Sequence, residues 1–286
     1  MDTQSGKGRD IYAIVLSYDA NIIFVDNLLC KMQKLWPESG FIYRIPYNNN
    51  KPVFLAEKYT GLNLEFIETP TKIKQTVLRL IEDIRDEEWI YWCIDDKFPV
   101  DLNRKKANQV LGWVKAQEDS DICGVSFARV RRLKDENYLD VKNQIQIGGG
   151  LRLIKRKSFK TQFWMHQFFR AKIIMDVFTS FPDYHFQAKL MDTYMKQCQT
   201  DFDNKFYVTN KNLVVFNESA SRGIASESLR RSLKSCSIDN YANKKFNQVD
   251  MVIGWRPSFK SLFMHYASFK TRVTRVMKKL KNYTKD

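Results

Sequence analysis

Residues 89–99, WIYWCIDDKFP, place an apolar and aromatic run directly before two adjacent carboxylates, Asp95 and Asp96. A run with so few polar residues predicts a strand that is buried on both faces of a sheet. In open α/β sheets, ligands bind beyond the carboxyl ends of the strands, which is where these two side chains would stand. Two like charges in that position repel each other, and a divalent cation shared with phosphate oxygens would lower the cost. The alternative is a strand-end turn with solvated aspartates, because the dipeptide alone is a weak motif.

The sequence around this stretch alternates strands and helices. Short β-branched or aromatic runs predict strands at 11–17, 41–47, 64–68 and 122–130, while helical spacing of apolar residues predicts helices at 21–37, 71–84 and 102–117. Such alternation is typical of parallel crossover connections. We therefore predict an α/β protein with an open mixed sheet flanked by helices.

The second half is less regular. It begins with a polar stretch that ends in three glycines (148–150). The pattern then predicts a strand at 151–159, helices at 165–182 and 184–197, and two further strands near 205–209 and 212–216. The glycines indicate either a hairpin connection or the hinge of a functional lid. The pattern predicts a short N-terminal segment (1–10), one globular domain (11–256, with halves at about 11–130 and 131–256), and a C-terminal helix (257–286).

Composition restricts the function classes. The 286 residues carry a formal net charge of +15, which favours a polyanionic partner such as nucleic acid, anionic lipid or a phosphate-bearing substrate. The five cysteines are widely spaced and include no CxxC pair, so we predict neither a disulfide framework nor a zinc cluster, and a reducing cytosol fits best. No run approaches the roughly 18 apolar residues of a spanning helix, so we expect a protein that is soluble or lies on a surface.

The order of motifs resembles the GT-A glycosyltransferases, and among them bacterial enzymes of surface-polysaccharide synthesis such as capsule or lipopolysaccharide sugar transferases. The resemblance extends over roughly residues 11–235 and depends on five segments: SYD (17–19), TKIKQTVLRLIEDIRDEEWIYWCIDDKFP (71–99), GGGLRLIKRKSF (148–159), HQFFRAKIIMDVF (166–178) and NESASRGIASESL (217–229). It implies a single Rossmann-like domain that transfers a sugar from a nucleotide-sugar donor, with UDP as the expected carrier.

The resemblance also implies roles for the residues of the opening stretch. Asp96, with Asp95 beside it, would be the DxD-type carboxylate that holds Mg²⁺ or Mn²⁺ against the donor diphosphate. The metal would act as a Lewis acid on the leaving nucleoside diphosphate. His166 is a candidate third ligand, although a hydrogen-bonded, half-buried histidine is the alternative for it.

Donor-binding residues follow from the same resemblance. Ser17, Tyr18 and Asp19 stand where the family grips the base and ribose, and Glu68 ends a later strand and would assist them. Arg222 stands where a basic residue meets the diphosphate, and its planar fork suits phosphate oxygens. Tyr18 could instead be a packing residue, and Arg222 one of many solvated cations.

The catalytic base is less evident. Inverting enzymes of this fold use an acidic residue to take the proton of the acceptor hydroxyl, whereas retaining ones need none in the same place. Similar sequences carry an acid near the position of Gln187, and Asp183 lies four residues earlier. Asp183 is therefore the candidate base, with capping of the helix after Pro182 as its alternative role.

The C-terminal segment 257–286 differs in character from the rest. Its apolar residues fall on one helical face, while Arg272, Arg275, Lys278 and Lys279 lie away from that face. A basic amphipathic helix of this kind suits an anionic membrane surface, with docking on the protein's own core as the alternative. We expect a peripheral protein on the cytoplasmic face of the membrane that acts on a glycan or lipid-linked acceptor.

Two other functions remain open. A sugar-phosphate nucleotidyltransferase would also use an α/β sheet and carboxylates, but its Gly-rich basic loop is missing after the first strand, where the sequence reads LSYDANI (16–22). A non-catalytic nucleic-acid-binding protein would account for the positive charge, but no helix-turn-helix, zinc-finger or RNA-recognition signature is present. We therefore expect no nucleic-acid partner.

Overall fold

Strand β1 (Tyr12–Leu16) lies inside the main sheet of the molecule, and its three central residues are fully buried. The computed structural model describes residues 10–128, 138–158, 163–183, 194–195, 205–221 and 224–238. Nearly all of the predicted segment 1–10, most of the predicted helix at 184–197, and the predicted helix at 257–286 lie outside these residues.

The other elements follow in chain order. The strands are β2 (Ile42–Tyr47), β3 (Asn63–Glu68), β4 (Trp89–Ile94), β5 (Lys97–Leu102), β6 (Ile122–Ser126), β7 (Leu139–Gly148), β8 (Leu151–Arg156), β9 (Gln167–Arg170), β10 (Lys205–Thr209), β11 (Val214–Glu218), β12 (Ala220–Ser221) and β13 (Ile224–Ala225). The helices are α1 (Ile22–Leu35), α2 (Phe54–Lys58), α3 (Ile73–Ile81), α4 (Arg104–Lys115), α5 (Ala171–Ser180) and α6 (Glu227–Ser235).

Nine of the strands form one mixed sheet in the order β3-β2-β1-β4-β9-β6-β10-β8-β7. Strand β1 pairs in parallel with β2 on one side and with β4 on the other, and β9 runs antiparallel to β4. Helices α1 and α4 cover one face of the sheet, and α3 and α5 cover the other. The prediction of an open mixed sheet flanked by helices is confirmed.

The start of the predicted helix at 165–182 is a strand instead. Gln167–Arg170 is buried throughout and lies between β4 and β6. Phe168 packs in the core on one face of the sheet, and Phe169 packs in the core on the other. Because a short run that is apolar on both faces has no helical or strand periodicity of its own, pairing with the two neighbouring strands decided its conformation.

A small second sheet and helix α6 were not predicted. Strand β5 directly follows the acidic pair and pairs antiparallel with β11. Helix α6 comes from a polar stretch, and it begins where the Ser226 hydroxyl accepts a 3.0 Å hydrogen bond from the Leu229 amide. This N-cap, with Glu227 after it, is a signal that the sequence does carry.

The three glycines form the turn of the hairpin between β7 and β8. Gly148, Gly149 and Gly150 have φ values of 97°, 57° and 69°, a region that side chains disfavour. Of the two interpretations that the sequence left open, the hairpin connection is the one that the structure shows.

The cysteine prediction is wrong in one respect. Cys30 on α1 and Cys236 after α6 form a disulfide across a sequence separation of 206 residues. The sequence showed no pair because the partners meet only when α6 packs against α1. Cys93 and Cys123 are free thiols and are buried.

Helix α6 contacts α1 through polar groups as well as through the disulfide. The Ser232 hydroxyl donates a buried 2.6 Å hydrogen bond to the Asn27 side chain, and Lys31 donates to the Ser235 hydroxyl at 2.8 Å. Within the described part of the chain, no helix has the length and apolarity to cross a bilayer.

Candidate functional site

The site lies at the carboxyl ends of β1 and β4. The chain builds β1, β2 and β3 outward in one direction and then returns to place β4 on the other side of β1. In open α/β sheets such a reversal of strand order is the usual ligand position, so the region at the ends of β1 and β4 is the candidate site, here called the crevice. Leu16 pairs with Ile94 in the register of these strands, so the residues that follow, Ser17 and Asp95, come side by side.

Asp95 is a buried carboxylate with its own hydrogen-bond donors. Its side chain is 4% exposed and accepts a 2.6 Å hydrogen bond from the Ser17 hydroxyl. Burial, with the nearby charge of Asp96, raises the pKa of Asp95 to about 7, although the hydrogen bonds from Ser17 and Asn21 act in the opposite direction. A carboxylate held in this state gains from any ligand that brings a hydroxyl donor or positive charge.

Asp96 belongs to a second, more open group. The Lys97 ammonium lies 3.3 Å and 3.5 Å from the two carboxylate oxygens of Asp96, and 3.8 Å from Oε1 of Glu218. The exposed fractions of the three side chains are 38% for Asp96, 15% for Lys97 and 62% for Glu218. Burial raises the pKa of Asp96, and Lys97 opposes that shift.

Pairing of β5 with β11 brings this group together. Lys97 is the register partner of Glu218, and the Ser219 amide donates a 2.6 Å hydrogen bond to the Asp96 carbonyl. Neither Lys97 nor Glu218 was among the residues predicted for the site. Lys97 directly follows the acidic pair and was visible in the sequence, whereas Glu218 becomes a neighbour only through the sheet.

His166 lies behind the acidic turn. It is fully buried, its Nε2 is 2.9 Å from the Ile94 carbonyl, and its Nδ1 is 3.4 Å from the Tyr91 hydroxyl. Burial lowers the pKa of His166 to about 4, so the ring is neutral at neutral pH. The neutral tautomer that donates from Nε2 satisfies both contacts, and the ring also packs 4.6 Å from the Phe216 ring. These contacts use both ring nitrogens and match the alternative role, a hydrogen-bonded histidine.

Tyr18 and Asp19 follow Ser17, and their side chains lie in different environments. Tyr18 is 50% exposed, so its ring is available at the mouth of the crevice, and burial together with Asp95 raises the pKa of its hydroxyl. Asp19 accepts hydrogen bonds from the backbone amides of Asn48, Asn49 and Asn50 at 2.7, 2.9 and 3.1 Å. Asp19 thus holds the loop after β2 in place beside the crevice.

The other predicted residues lie apart from this group or outside the described residues. Glu68 is exposed at the end of β3, the edge strand of the sheet. Asp183 has an 83% exposed side chain that pairs with Lys74 at 2.7 Å, and Lys74 lowers the pKa of Asp183. A lowered pKa weakens a carboxylate as a base. Arg222 and Gln187 lie outside the described residues.

The acidic residues do not form a metal site made of protein ligands alone. Among the described residues, no group of three His, Cys, Asp or Glu side chains could hold a metal ion. The carboxylates of Asp96 and Glu218 both face Lys97, whereas Asp95 faces Ser17 and Asn21. At about 4 Å and an effective dielectric constant near 20, a dication would be repelled by one ammonium by about 8 kcal/mol and attracted by each carboxylate by about as much, so the net charge of this group does not exclude a cation. The predicted role of Mn²⁺ or Mg²⁺ stays a prediction.

Comparisons with known proteins give only distant likenesses. No protein-family model and no curated protein matches the chain. Among solved structures, S. aureus TarS 1–349 is 12% identical, with a TM-score of 0.48 over 82% of this chain and 66% of that one. A longer TarS structure is spanned to only 40% of its length.

Two further structures show the same level of similarity. The 4-diphosphocytidyl-2C-methyl-D-erythritol synthase of Anaerococcus prevotii is 9% identical, with a TM-score of 0.43 over 80% of this chain and 97% of that one. The galactosyltransferase LgtC is 10% identical, with a TM-score of 0.36 over 85% and 84%. At such values the likeness concerns the layout of strands and helices, and it carries no chemistry to this chain.

Proposed function

We propose that the chain is a glycosyltransferase whose donor is a nucleoside diphosphate sugar. The observation that supports this most is the buried Ser17–Asp95 pair at the switch point of the sheet, with Tyr18 half-exposed beside it and a lysine on the adjacent turn. These groups offer a nucleotide what its parts require: an aromatic surface for the base, a carboxylate acceptor for sugar hydroxyls, and a cation for phosphate oxygens.

Three of the five segments that carry the resemblance support the same proposal, because parts of them meet at this crevice. SYD follows β1, IDDK spans the end of β4, and NES spans the end of β11 beside Asp96. The hydrophobic β4 therefore has a functional explanation: it places the acidic turn at the carboxyl end of a central strand, next to the end of β1.

UDP is the carrier that we propose to test first. S. aureus TarS has been crystallised with UDP and with UDP-GlcNAc, which is a property of TarS and guides only the choice of probe. The acceptor that we propose is a glycan or lipid-linked sugar of a bacterial surface polysaccharide, with the basic segment 257–286 on the cytoplasmic face of an anionic membrane. A liposome sedimentation assay with and without that segment tests the membrane part.

The experiment is a thermal-shift and calorimetric titration of the full chain with UDP, UDP-GlcNAc, UTP and CTP. A ligand at about 100 times its Kd should add roughly 2.7 kcal/mol to the free energy of unfolding. We expect stabilisation by UDP and UDP-sugars that is weakened in Asp95→Ala and Tyr18→Ala and retained in Glu68→Gln. The last variant also tests the predicted role of Glu68, because its side chain lies on the edge strand β3, two strands away from β1.

Other outcomes would redirect the assignment. Preference for UTP or CTP with release of pyrophosphate would favour a sugar-phosphate nucleotidyltransferase. Indifference to all four nucleotides, together with salt-dependent binding to DNA, would favour the nucleic-acid-binding alternative.

A further inference from the structure

We propose that the outer side of helix α6, together with the end of α1 beneath it, docks on an anionic lipid surface. This basic face consists of six cations whose side chains are exposed or half-buried: Lys31, Lys34, Arg104, Arg230, Arg231 and Lys234. The inference rests on the membrane part of the proposed function and extends it, because it assigns a membrane contact to the folded domain and not to segment 257–286 alone.

Helix α6 separates its buried side from its charged side. At about 100° per residue, its buried residues fall within an arc of about 60°, and its three cations fall within an arc of about 100° centred on the opposite side. The buried residues are Leu229, Ser232 and the cap residue Cys236, and the exposed cations are Arg230, Arg231 and Lys234. The three cations therefore point away from α1.

Helix α1 adds cations at the carboxyl end of α6. The Lys31 and Lys34 ammonium groups donate to the hydroxyl and to the carbonyl of Ser235 at 2.8 Å and 2.7 Å. Burial and the charge of Lys34 lower the pKa of Lys31. Arg104 joins this group by donating to the Lys34 carbonyl at 3.2 Å. Because Ser235 follows Lys234, the cations of both helices form one continuous surface.

The basic face keeps a positive charge after its acidic residues are counted. Glu38 pairs with Arg104 at 3.1 Å, and Glu227 begins α6 on the charged side by its helical position. Six cations against these two carboxylates leave a net charge of +4. Each Lys or Arg near an anionic membrane favours binding by about fivefold, so a cluster of this size attracts lipid headgroups.

The next part of the sequence favours lipid over other anionic partners. The described residues end at Ile238, just after α6, so the following segment starts at the basic face. Residues 239–286 carry eleven Lys and Arg against three Asp, which is +8 of the total net charge of +15. The helix predicted at 257–286 also has an apolar side, which a bilayer accommodates and a nucleic acid does not.

The basic face begins beside the crevice. At the start of α6, the Ser226 hydroxyl donates to the Glu218 carbonyl at 2.5 Å, and the Ser226 amide donates to the Ser219 carbonyl at 2.8 Å. Glu218 and Ser219 end the strand that lies beside Asp96. A membrane against the basic face would therefore bring lipid headgroups close to the crevice, where a lipid-linked acceptor has to arrive.

Vesicle sedimentation of the full chain tests the proposal, with vesicles of phosphatidylcholine alone or with phosphatidylserine added. The triple variant Arg230→Gln/Arg231→Gln/Lys234→Gln keeps the contacts of Ser232 and Ser235 with α1. It should lower the partition onto phosphatidylserine vesicles about hundredfold, because each charge contributes about fivefold. The loss should shrink as salt is added.

The matched control removes three exposed cations from β7, β8 and the residue after β8, at the other end of the sheet. It is Lys142→Gln/Arg152→Gln/Lys157→Gln. Because charges farther than a Debye length from the lipid are screened, its partition should differ from that of the unmodified chain by less than about threefold.

Lysine acetylation of the unmodified chain, read by mass spectrometry, locates the contact directly. Phosphatidylserine vesicles should protect Lys31, Lys34 and Lys234 from acetylation and leave Lys142 and Lys157 as reactive as before. This measurement needs no substitution, so it decides the question even if the triple variant does not fold.

Three results would overturn the inference. The first is equal partition of the triple variant and the control, or equal acetylation of Lys234 with and without vesicles, since segment 239–286 would then bind alone. The second is no partition of the unmodified chain onto phosphatidylserine vesicles. The third is binding to duplex DNA, without vesicle binding, that the triple variant loses. None of these results changes the UDP titration, which decides the transferase assignment separately.

Discussion

The hydroxyl of Ser17 donates a 2.6 Å hydrogen bond to the carboxylate of Asp95, a residue 78 positions later in the chain. The bond joins the ends of two parallel strands at the point where the sheet reverses its order. It is buried, so it keeps a proton-binding group oriented away from bulk water. Replacing Asp95 should therefore stabilise the free protein where the carboxylate would be ionised, and it should weaken the binding of a ligand.

We predict that Asp95→Asn is increasingly stabilising as the pH rises. The pKa of Asp95 is raised from 3.8 to about 7 in the folded chain, so its contribution to stability is fully present below 3.8 and is lost as the pH rises through 7. The variant does not titrate, so its stability relative to the unmodified chain should rise by about 4 kcal/mol across that window. Denaturant melts at pH 5 and pH 8 measure the difference, and equal values at both would contradict the prediction.

Acid should destabilise the protein through His166. The pKa of this buried imidazole is lowered from 6.5 to about 4, so the unfolded chain takes up a proton first as the pH falls. The contribution of the neutral His166 ring to the free energy of unfolding is fully present above pH 6.5. It should decrease by about 3 kcal/mol as the pH falls to 4. Melts of His166→Gln over the same range provide the control, because glutamine does not titrate. Nitrogen NMR shifts that show a protonated ring at pH 5.5 would rule this prediction out.

Asp19 should stabilise the loop after β2 by accepting three backbone hydrogen bonds. Replacing Asp19 with alanine leaves those amides without their partner, so we expect a loss of about 1–3 kcal/mol in the free energy of unfolding. Faster hydrogen exchange at residues 48–50 should accompany the loss. Asp101→Ala, an exposed carboxylate on β5, is the matched control. Unchanged exchange at 48–50 in Asp19→Ala would show that the loop holds without it.

The disulfide between Cys30 and Cys236 should make the stability depend on the redox state. It closes a separation of 206 residues, for which chain entropy predicts a contribution of about 5 kcal/mol at most. A dithiol reductant should lower the Tm of the unmodified chain, while the double variant Cys30→Ser/Cys236→Ser should melt at the lower temperature in either buffer. A thiol titration of the denatured protein should rise by two on reduction. A Tm that does not change when the reductant is added would contradict the presence of the Cys30–Cys236 disulfide.

The same experiment bears on location. Disulfides persist in oxidising compartments and are reduced in most cytosols, whereas the cysteine pattern predicted a cytoplasmic protein. If the chain works on the cytoplasmic face, α6 would be held against α1 only by the remaining contacts, such as those from Ser232 and Lys31. Measuring the affinity of the reduced protein for UDP therefore shows whether ligand binding in the crevice depends on the disulfide.

The sequence alone determined the alternation of strands and helices, and with it the sheet. The segments around β1, α1, β2, α3 and β4 carry clear periodicities and cap or breaker residues, and a local pattern is sufficient for them. It also determined that the acidic pair follows a buried strand, which located the crevice before any contact was known. The local pattern of Gln167–Arg170 does not distinguish a helix from a strand. The sequence predicted a helix there, and the structure has a strand.

Only the tertiary structure decided which side chains meet. Glu218 faces Lys97 because β11 pairs with β5, and Cys236 reaches Cys30 because α6 packs on α1. The Asp19 carboxylate accepts hydrogen bonds from backbone amides that lie 29 to 31 positions later in the chain. Burial is likewise a property of the packed chain, and it moves the pKa values of Asp95 and His166 in opposite directions. Contacts between distant segments depend on strand order and helix packing, which no local run of residues encodes.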